Sequence, residues 1–286
     1  MIAISDPHVI DRHGSQIHYW LNGPADGPVI ALNHGATMDH RLFNPQLDVL
    51  TGAGYRVLTW DARGHGRSQP LGRGPISVEQ MTDDLVAILD GLGHTGPICI
   101  GGQSMGGYIA QDFVRRHPER TAAIVIIGSS CITMPIPWWQ QWALHLTPWV
   151  FRAWPWEHLK RLVARSTAQR QGVQDYALQA VAQMTKDDFV AIWRGLAHVM
   201  QPDPGYRITH PLLLTHGEQD RTGNIAAVAP RWAARDPQCR YRVIPGAGHN
   251  ANQDNAEFFN LVLSDFLAEH YPPGLDPTDP GGPSDG

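Results

Sequence analysis

The stretch GGQSMGGYIA, residues 101–110, places one hydroxyl among four glycines, directly after the apolar run PICI and directly before a run with helical spacing. Glycine weakens strands and helices by roughly 0.5–1 kcal/mol relative to alanine, so a cluster of glycines at a junction needs a reason. The pattern G-x-S-x-G, here Gly102 to Gly106, supplies one. Its glycines let the backbone crowd a sharp strand-to-helix turn that lifts the Ser104 hydroxyl above a sheet edge. A free serine hydroxyl is a poor nucleophile at neutral pH. The rest of the chain must therefore supply Ser104 with a base, an acid and hydrogen-bond donors for a developing oxyanion.

Outward from that turn, apolar strands alternate with amphipathic helices. Strands are expected at QIHYWL (16–21), VIALN (29–33), YRVLTW (55–60), PICIG (97–101) and AAIVII (122–127). Helices are expected at 42–54, 77–93 and 106–120, with glycine or His117-Pro118 as stop signals. Strands that are continuously apolar indicate a mostly parallel sheet covered on both faces, an α/β architecture. The alternation breaks between about 133 and 204, which shows helical stretches only. It resumes with PLLLTHG (211–217), a helix near 225–236, YRVI (241–244) and a final helix over 256–270.

The base is His249, in PGAGHNANQD: it follows the last strand and sits in a glycine-rich loop before the final helix. Glu218 and Asp220 in THGEQDRTGN both qualify as its orienting acid. Asp220 is preferred, because it lies further into the loop and can turn back towards His249. The oxyanion donors are assigned to the N–H of Met105, at the start of the following helix, and to that of Ala36, in NHGATMD after VIALN. The Met105 side chain is expected to face the same cavity.

Composition excludes several alternatives. The 286 residues carry 22 Lys+Arg against 27 Asp+Glu, a net charge of −5, with the basic residues scattered. A nucleic-acid partner needs a clustered basic face and is not expected. The three cysteines, Cys99, Cys131 and Cys239, form no ligand spacing, and an odd number makes no complete disulfide framework. No metal and no cofactor is expected. No secretory signal and no apolar run of about 18 residues is visible, so a cytoplasmic protein with no membrane partner is the expectation. The sequence leaves the oligomeric state open.

The set LNHGA, TWDARGHGRS (59–68), GGQSMGG, THGEQD and GAGH, in this order, resembles the α/β-hydrolase superfamily over nearly the whole chain. The resemblance implies an eight-stranded, mostly parallel sheet flanked by helices, with an inserted helical cap. It divides the chain into a core over 1–132 and 207–271, a tryptophan-rich cap over 133–206, and a Pro/Gly-rich tail over 272–286 expected to be disordered. Asp61 to Ser68 becomes a structural turn, and His65 within it a packing residue.

A serine at the turn separates this chain from the haloalkane dehalogenases and epoxide hydrolases of the fold, which use aspartate. The motifs are most similar to carboxylesterases, enol-lactonases and cofactor-free haloperoxidases or perhydrolases. The implied function is hydrolysis of a small-molecule ester through Ser104, His249 and Asp220, with a lactone or a peracid-forming reaction as alternatives. A slow-turnover ligand receptor on the same fold is the reading from a different class; steady turnover separates the two. WWQQWALHLTPWVFRAWPWEHL (138–159) holds six of the ten tryptophans. Most are expected to pack the cap onto the core, with one or two of Trp138, Trp139 and Trp142 lining a pocket for a hydrophobic or ring-bearing substrate.

Overall fold

The computed structural model describes residues 5–274. The tail expected over 272–286 therefore lies, from residue 275 onward, outside the described residues. The chain runs β1 (His8–Arg12), β2 (Ser15–Asn22), β3 (Val29–Asn33), α1 (Asn44–Gly52), β4 (Arg56–Trp60), α2 (Val78–Gly91), β5 (Ile98–Gln103), α3 (Met105–Arg116) and β6 (Thr121–Ile127). Four helices follow with no strand among them: α4 (Trp138–Ala153), α5 (Trp156–Thr167), α6 (Gln171–Val181) and α7 (Lys186–Leu196). The chain then returns through β7 (Leu212–Gly217), α8 (Ile225–Arg235), β8 (Cys239–Ile244), α9 (Ala251–Asp254) and α10 (Ala256–His270).

The eight strands form one sheet in the order β1-β2-β4-β3-β5-β6-β7-β8. Pairing is antiparallel only for β1 with β2 and β2 with β4; all other neighbours are parallel. This is the α/β-hydrolase fold that the motifs imply. Strand β1, HVIDR, carries no apolar run because it is a mostly exposed edge strand. Its pattern is thus weak in the sequence.

Alternation along the central strands divides the core into two. Ala31, Ile100, Ile124 and Ile126 face α2 and α3, where Leu85, Ile88, Ile109 and Phe113 are fully buried. Ile30, Leu32, Cys99 and Val125 face α1 and α10, where Leu50, Phe259 and Phe266 close the other side. A strand with both faces covered has no polar side to show, which is why these strands read as unbroken apolar runs.

The parallel register sets the place of the chemistry. Asn33 stands opposite Gly102, Gln103 opposite Ile127, and Gly217 opposite Ile244. The loops leaving β3, β5, β6, β7 and β8 therefore emerge side by side at the carboxyl edge of the sheet, where α/β folds bind ligands.

Candidate active site

Ser104 occupies the turn between β5 and α3 with φ 52° and ψ −113°. A non-glycine residue at positive φ is strained by about 1–3 kcal/mol and persists only where its surroundings impose it. Here the Ser104 N–H donates to the Ile127 carbonyl at 2.9 Å, and its own carbonyl accepts from the Gly107 N–H at 2.9 Å. A Cβ on Gly102 would collide with the Gly106 carbonyl, and one on Gly106 with the Asn33 carbonyl. The glycines are thus required by close backbone approach on both sides of the serine.

Asp220 and His249 stand in the loops leaving β7 and β8. Nδ1 of His249 lies 2.9 Å from Oδ2 of Asp220, and both residues are buried. Burial alone would raise the Asp220 pKa. The hydrogen bond and charge of His249, with the Thr222 N–H donating to Oδ1 at 2.8 Å, outweigh it and hold the carboxyl below its ordinary value. Because Nδ1 is turned to Asp220, Nε2 is the nitrogen left for other partners. Glu218, the other acid in this loop, instead accepts from the Gly246 N–H at 2.9 Å on the exposed side.

Gln103 joins these parts. Its Nε2 donates to the His249 carbonyl at 3.2 Å, one residue before Ser104. Its Oε1 fills the space where a Cβ on Gly35 would stand, so the loop after β3 rests on it. That loop is braced by His34, whose Nε2 accepts from the Ala62 N–H at 2.9 Å while Nδ1 is 2.7 Å from the Gly35 carbonyl. These bonds assign the neutral ring with its proton on Nδ1, in line with burial lowering its pKa. Ala36 lies in the turn closed by the Met38 N–H on the Gly35 carbonyl at 3.1 Å. Met105 is the first residue of α3, so its N–H is among the four with no partner inside the helix. Its side chain is fully buried in the main hydrophobic core.

Asp254, which no local sequence pattern marks, organises the histidine loop. Its Oδ2 accepts from Gly248 N–H and Gln169 N–H, each at 2.8 Å, and its Oδ1 from Arg170 N–H at 3.0 Å. The Asn250 N–H adds a bond to the Thr167 carbonyl at 2.7 Å. The end of α5 is thereby tied to the segment that carries His249.

The second histidine near the turn is buried beside His34, ring centroids 4.9 Å apart. This is His65, and burial depresses its pKa to about 3, which leaves it neutral. In the same turn Asp61 accepts from the N–H groups of His40 (2.7 Å) and Arg67 (2.8 Å), which fixes the loop. A polar recess of about 360 Å³ opens here, lined by Asp39, His40, Arg41, Asp61, Arg67 and Gln183 among others. Ser104, Asp220 and His249 are not part of its wall.

The tryptophans depart from expectation. Trp138, Trp139 and Trp142 are 76, 56 and 64% exposed, and the structure does not enclose them with Ser104. Trp149 and Trp154 are exposed as well; of the six, only Trp156 packs inward, edge-on to Phe189. The cause is rotational: Phe151 meets α7, buried Pro148 lies on the same side of α4, and most of the indoles lie on the other. Among the described residues, no group of three or more His, Cys, Asp or Glu could hold a metal ion, and no helix is long and apolar enough to cross a membrane.

Comparison with known proteins agrees with this geometry at the level of the family. The family described as serine aminopeptidase, S33, matches over residues 25–255. A bifunctional esterase/perhydrolase from Acinetobacter calcoaceticus is 32% identical over 123 residues, 43% of this chain and 44% of that protein. The chain covers less than half the length of several such relatives above 30% identity. A 3-oxoadipate enol-lactonase from Acinetobacter baylyi is 24% identical over 93% of this chain and 98% of that protein. Among solved structures, a thermophilic esterase from Thermogutta terrifontis superposes with a TM-score of 0.79 at 24% identity, covering 93% of this chain and all of that one.

Proposed function

The chain belongs to the serine aminopeptidase S33 family of α/β-hydrolases, and from that premise we propose that it is a serine esterase acting on a hydrophobic or ring-bearing carboxylic ester. The observation that carries this reading is the strained Ser104 turn set beside a buried Asp220–His249 pair, with Gln103 bonded to the histidine's own carbonyl. In this mechanism Nε2 of His249 takes the proton of Ser104 Oγ as the oxygen attacks the ester carbonyl. The Met105 and Ala36 N–H groups donate to the oxyanion. Asp220 holds the imidazole tautomer and stabilises the imidazolium that forms.

The protonated His249 then gives its proton to the departing alkoxide, which leaves as the alcohol and an acyl-serine behind. Water, deprotonated by Nε2, attacks the acyl carbon, and the proton returns to Ser104 as the acid leaves. No cofactor or metal enters any step. The helices α4–α7 form the cap over this edge of the sheet, within the division 1–132, 133–206 and 207–271. Three unpaired thiols, Cys99, Cys131 and Cys239, support a reducing compartment such as the cytoplasm.

A lactone is the second reading, supported by the similarity to an enol-lactonase along almost the whole chain. The chemistry differs only in that the leaving oxygen stays tethered to the acyl group. Initial rates on p-nitrophenyl esters of rising acyl length, beside aliphatic and aromatic lactones, separate the two. Ser104-dependent ester turnover with a chain-length optimum supports the esterase; fast lactone opening with slow ester cleavage reassigns it. A Ser104→Ala variant with the wild-type rate on both sinks the serine mechanism.

A further inference from the structure

Of the thirteen exposed large hydrophobic side chains among the described residues, eight fall between Trp138 and Leu162. Single exposed hydrophobics are ordinary on a protein surface; a concentration of them is not. At 100° per residue, Trp138, Trp142, Leu146, Trp149 and Val150 occupy one arc of about 120° along α4. They are 48–76% exposed. The opposite arc is already satisfied, through Phe151 against Phe189 and Trp193 and through buried Pro148. Helix α4 is therefore apolar on both sides, although only one side has a protein partner. A helix inside a protein can be apolar all round; one at a surface needs a second apolar phase.

We infer that this outer face of α4 docks onto an anionic lipid–water interface. The residue type fits that phase: tryptophan has an apolar body and an N–H that keeps its bond to water or headgroups, and it concentrates where lipid meets water. The charge fits it too. Residues 133–170 carry Arg152, Lys160, Arg161, Arg165 and Arg170 against one acid, Glu157, a net +4 in a chain of −5. Arg152 is shared with Asp187 and Lys160 with Glu157, while Arg161, Arg165 and Arg170 are exposed. An apolar, Trp-bearing helix face followed along the chain by an exposed basic segment is a combination that suits an anionic membrane surface.

A second copy of the chain fits less well, because an isologous contact brings this same positive segment against itself. No described helix is long and apolar enough to cross a membrane, but a helix lying in the interface needs no spanning run. The inference also does not rest on the chemistry assigned to Ser104, since binding is read without turnover. The same helix borders the candidate site: Gln140 Oε1 accepts from Asn224 Nδ2 at 2.9 Å, and Asn224 Oδ1 accepts from Ser130 Oγ at 3.0 Å, just past β6.

The test is co-sedimentation of the full chain with vesicles of phosphatidylcholine alone and of phosphatidylcholine mixed equally with phosphatidylglycerol, alongside tryptophan emission. The expected result is at least about tenfold tighter binding to the mixed vesicles, weakened by salt, with a blue-shifted emission. Leu146→Ser/Trp149→Ser/Val150→Ser should lower binding at least about tenfold with its melting temperature retained. Arg161→Glu/Arg165→Glu should abolish the preference for phosphatidylglycerol, and it decides the matter if the triple variant fails to fold. Wild-type protein that stays in the supernatant overturns the inference, as does a folded triple variant that binds equally well. Dimerisation that the triple variant loses, without vesicle binding, would assign the face to a second copy and also overturn it.

Discussion

Replacing Asp254 with alanine tests whether one buried carboxylate holds the histidine loop and the helical insertion together. It removes the acceptor for three backbone N–H groups. They are not equivalent. Gly248 is buried, so its N–H cannot turn to water, and leaving it unpaired costs about 1–3 kcal/mol. Gln169 and Arg170 are exposed and can exchange the carboxylate for solvent at about 0.5 kcal/mol each. The expected loss for Asp254→Ala is about 3 kcal/mol, a shift of roughly 1 M in urea midpoint at a slope of about 3 kcal/mol/M.

Asp254→Asn keeps one carbonyl oxygen, enough for the Gly248 and Gln169 bonds on Oδ2, and turns an amide towards the exposed Arg170 N–H. It should cost only about 1 kcal/mol. Equilibrium urea unfolding of the three proteins, followed by far-UV circular dichroism, measures both values. An alanine variant within about 0.5 kcal/mol of wild type refutes the reasoning. An asparagine variant as damaging as alanine would show that charge, rather than hydrogen-bond geometry, holds the loop.

Asp220→Asn should lower kcat on a Ser104-dependent ester about 10³–10⁴-fold, since the amide favours the wrong imidazole tautomer; retained kcat would remove Asp220 from the mechanism. The depressed Asp220 pKa adds stability that is complete above the ordinary carboxylate value near 4 and is lost as pH falls through the lower folded value. The stability advantage of wild type over Asp220→Asn, measured by denaturant unfolding, should shrink below about pH 4. Burial lowers His65 to about 3, so the unfolded state takes up a proton near pH 6.5 that the folded state refuses. Stability should fall by up to about 1.4 kcal/mol per pH unit below 6.5 on this residue's account. His65→Gln should flatten that slope in unfolding curves at pH 7 and pH 5; an unchanged slope rejects the assignment. Gly106→Ala drives a methyl group into the Asn33 carbonyl and should destabilise by at least about 2 kcal/mol. A thermal midpoint equal to wild type would show that the turn can open to admit it.

What the sequence by itself determined is what depends on neighbours along the chain. The Ser104 turn is legible because glycine sterics act over a few residues, and the central strands because burial on both faces leaves an unbroken apolar run. Edge strand β1 escaped that rule, since a mostly exposed strand has no such run to show. The loops bearing Asp220 and His249 could be placed at one sheet edge from the alternation alone. Which acid meets the histidine is a matter of space: Asp220 lies 2.9 Å from His249 Nδ1 while Glu218 accepts from the Gly246 N–H, with the loops stitched by the Gln219 N–H on the Ala247 carbonyl at 2.8 Å.

Only the tertiary structure gave Asp254 its three partners, because 84 and 85 residues separate it from two of them and no local pattern records such a distance. The tertiary structure likewise decided the tryptophans. Spacing puts most of them on one arc of α4, but which arc is covered depends on where α7 lies. It covers Phe151 and leaves the indoles outside. Hydrophobicity records that a side chain gains by leaving water, and the packing of distant segments decides whether the protein itself provides the shelter.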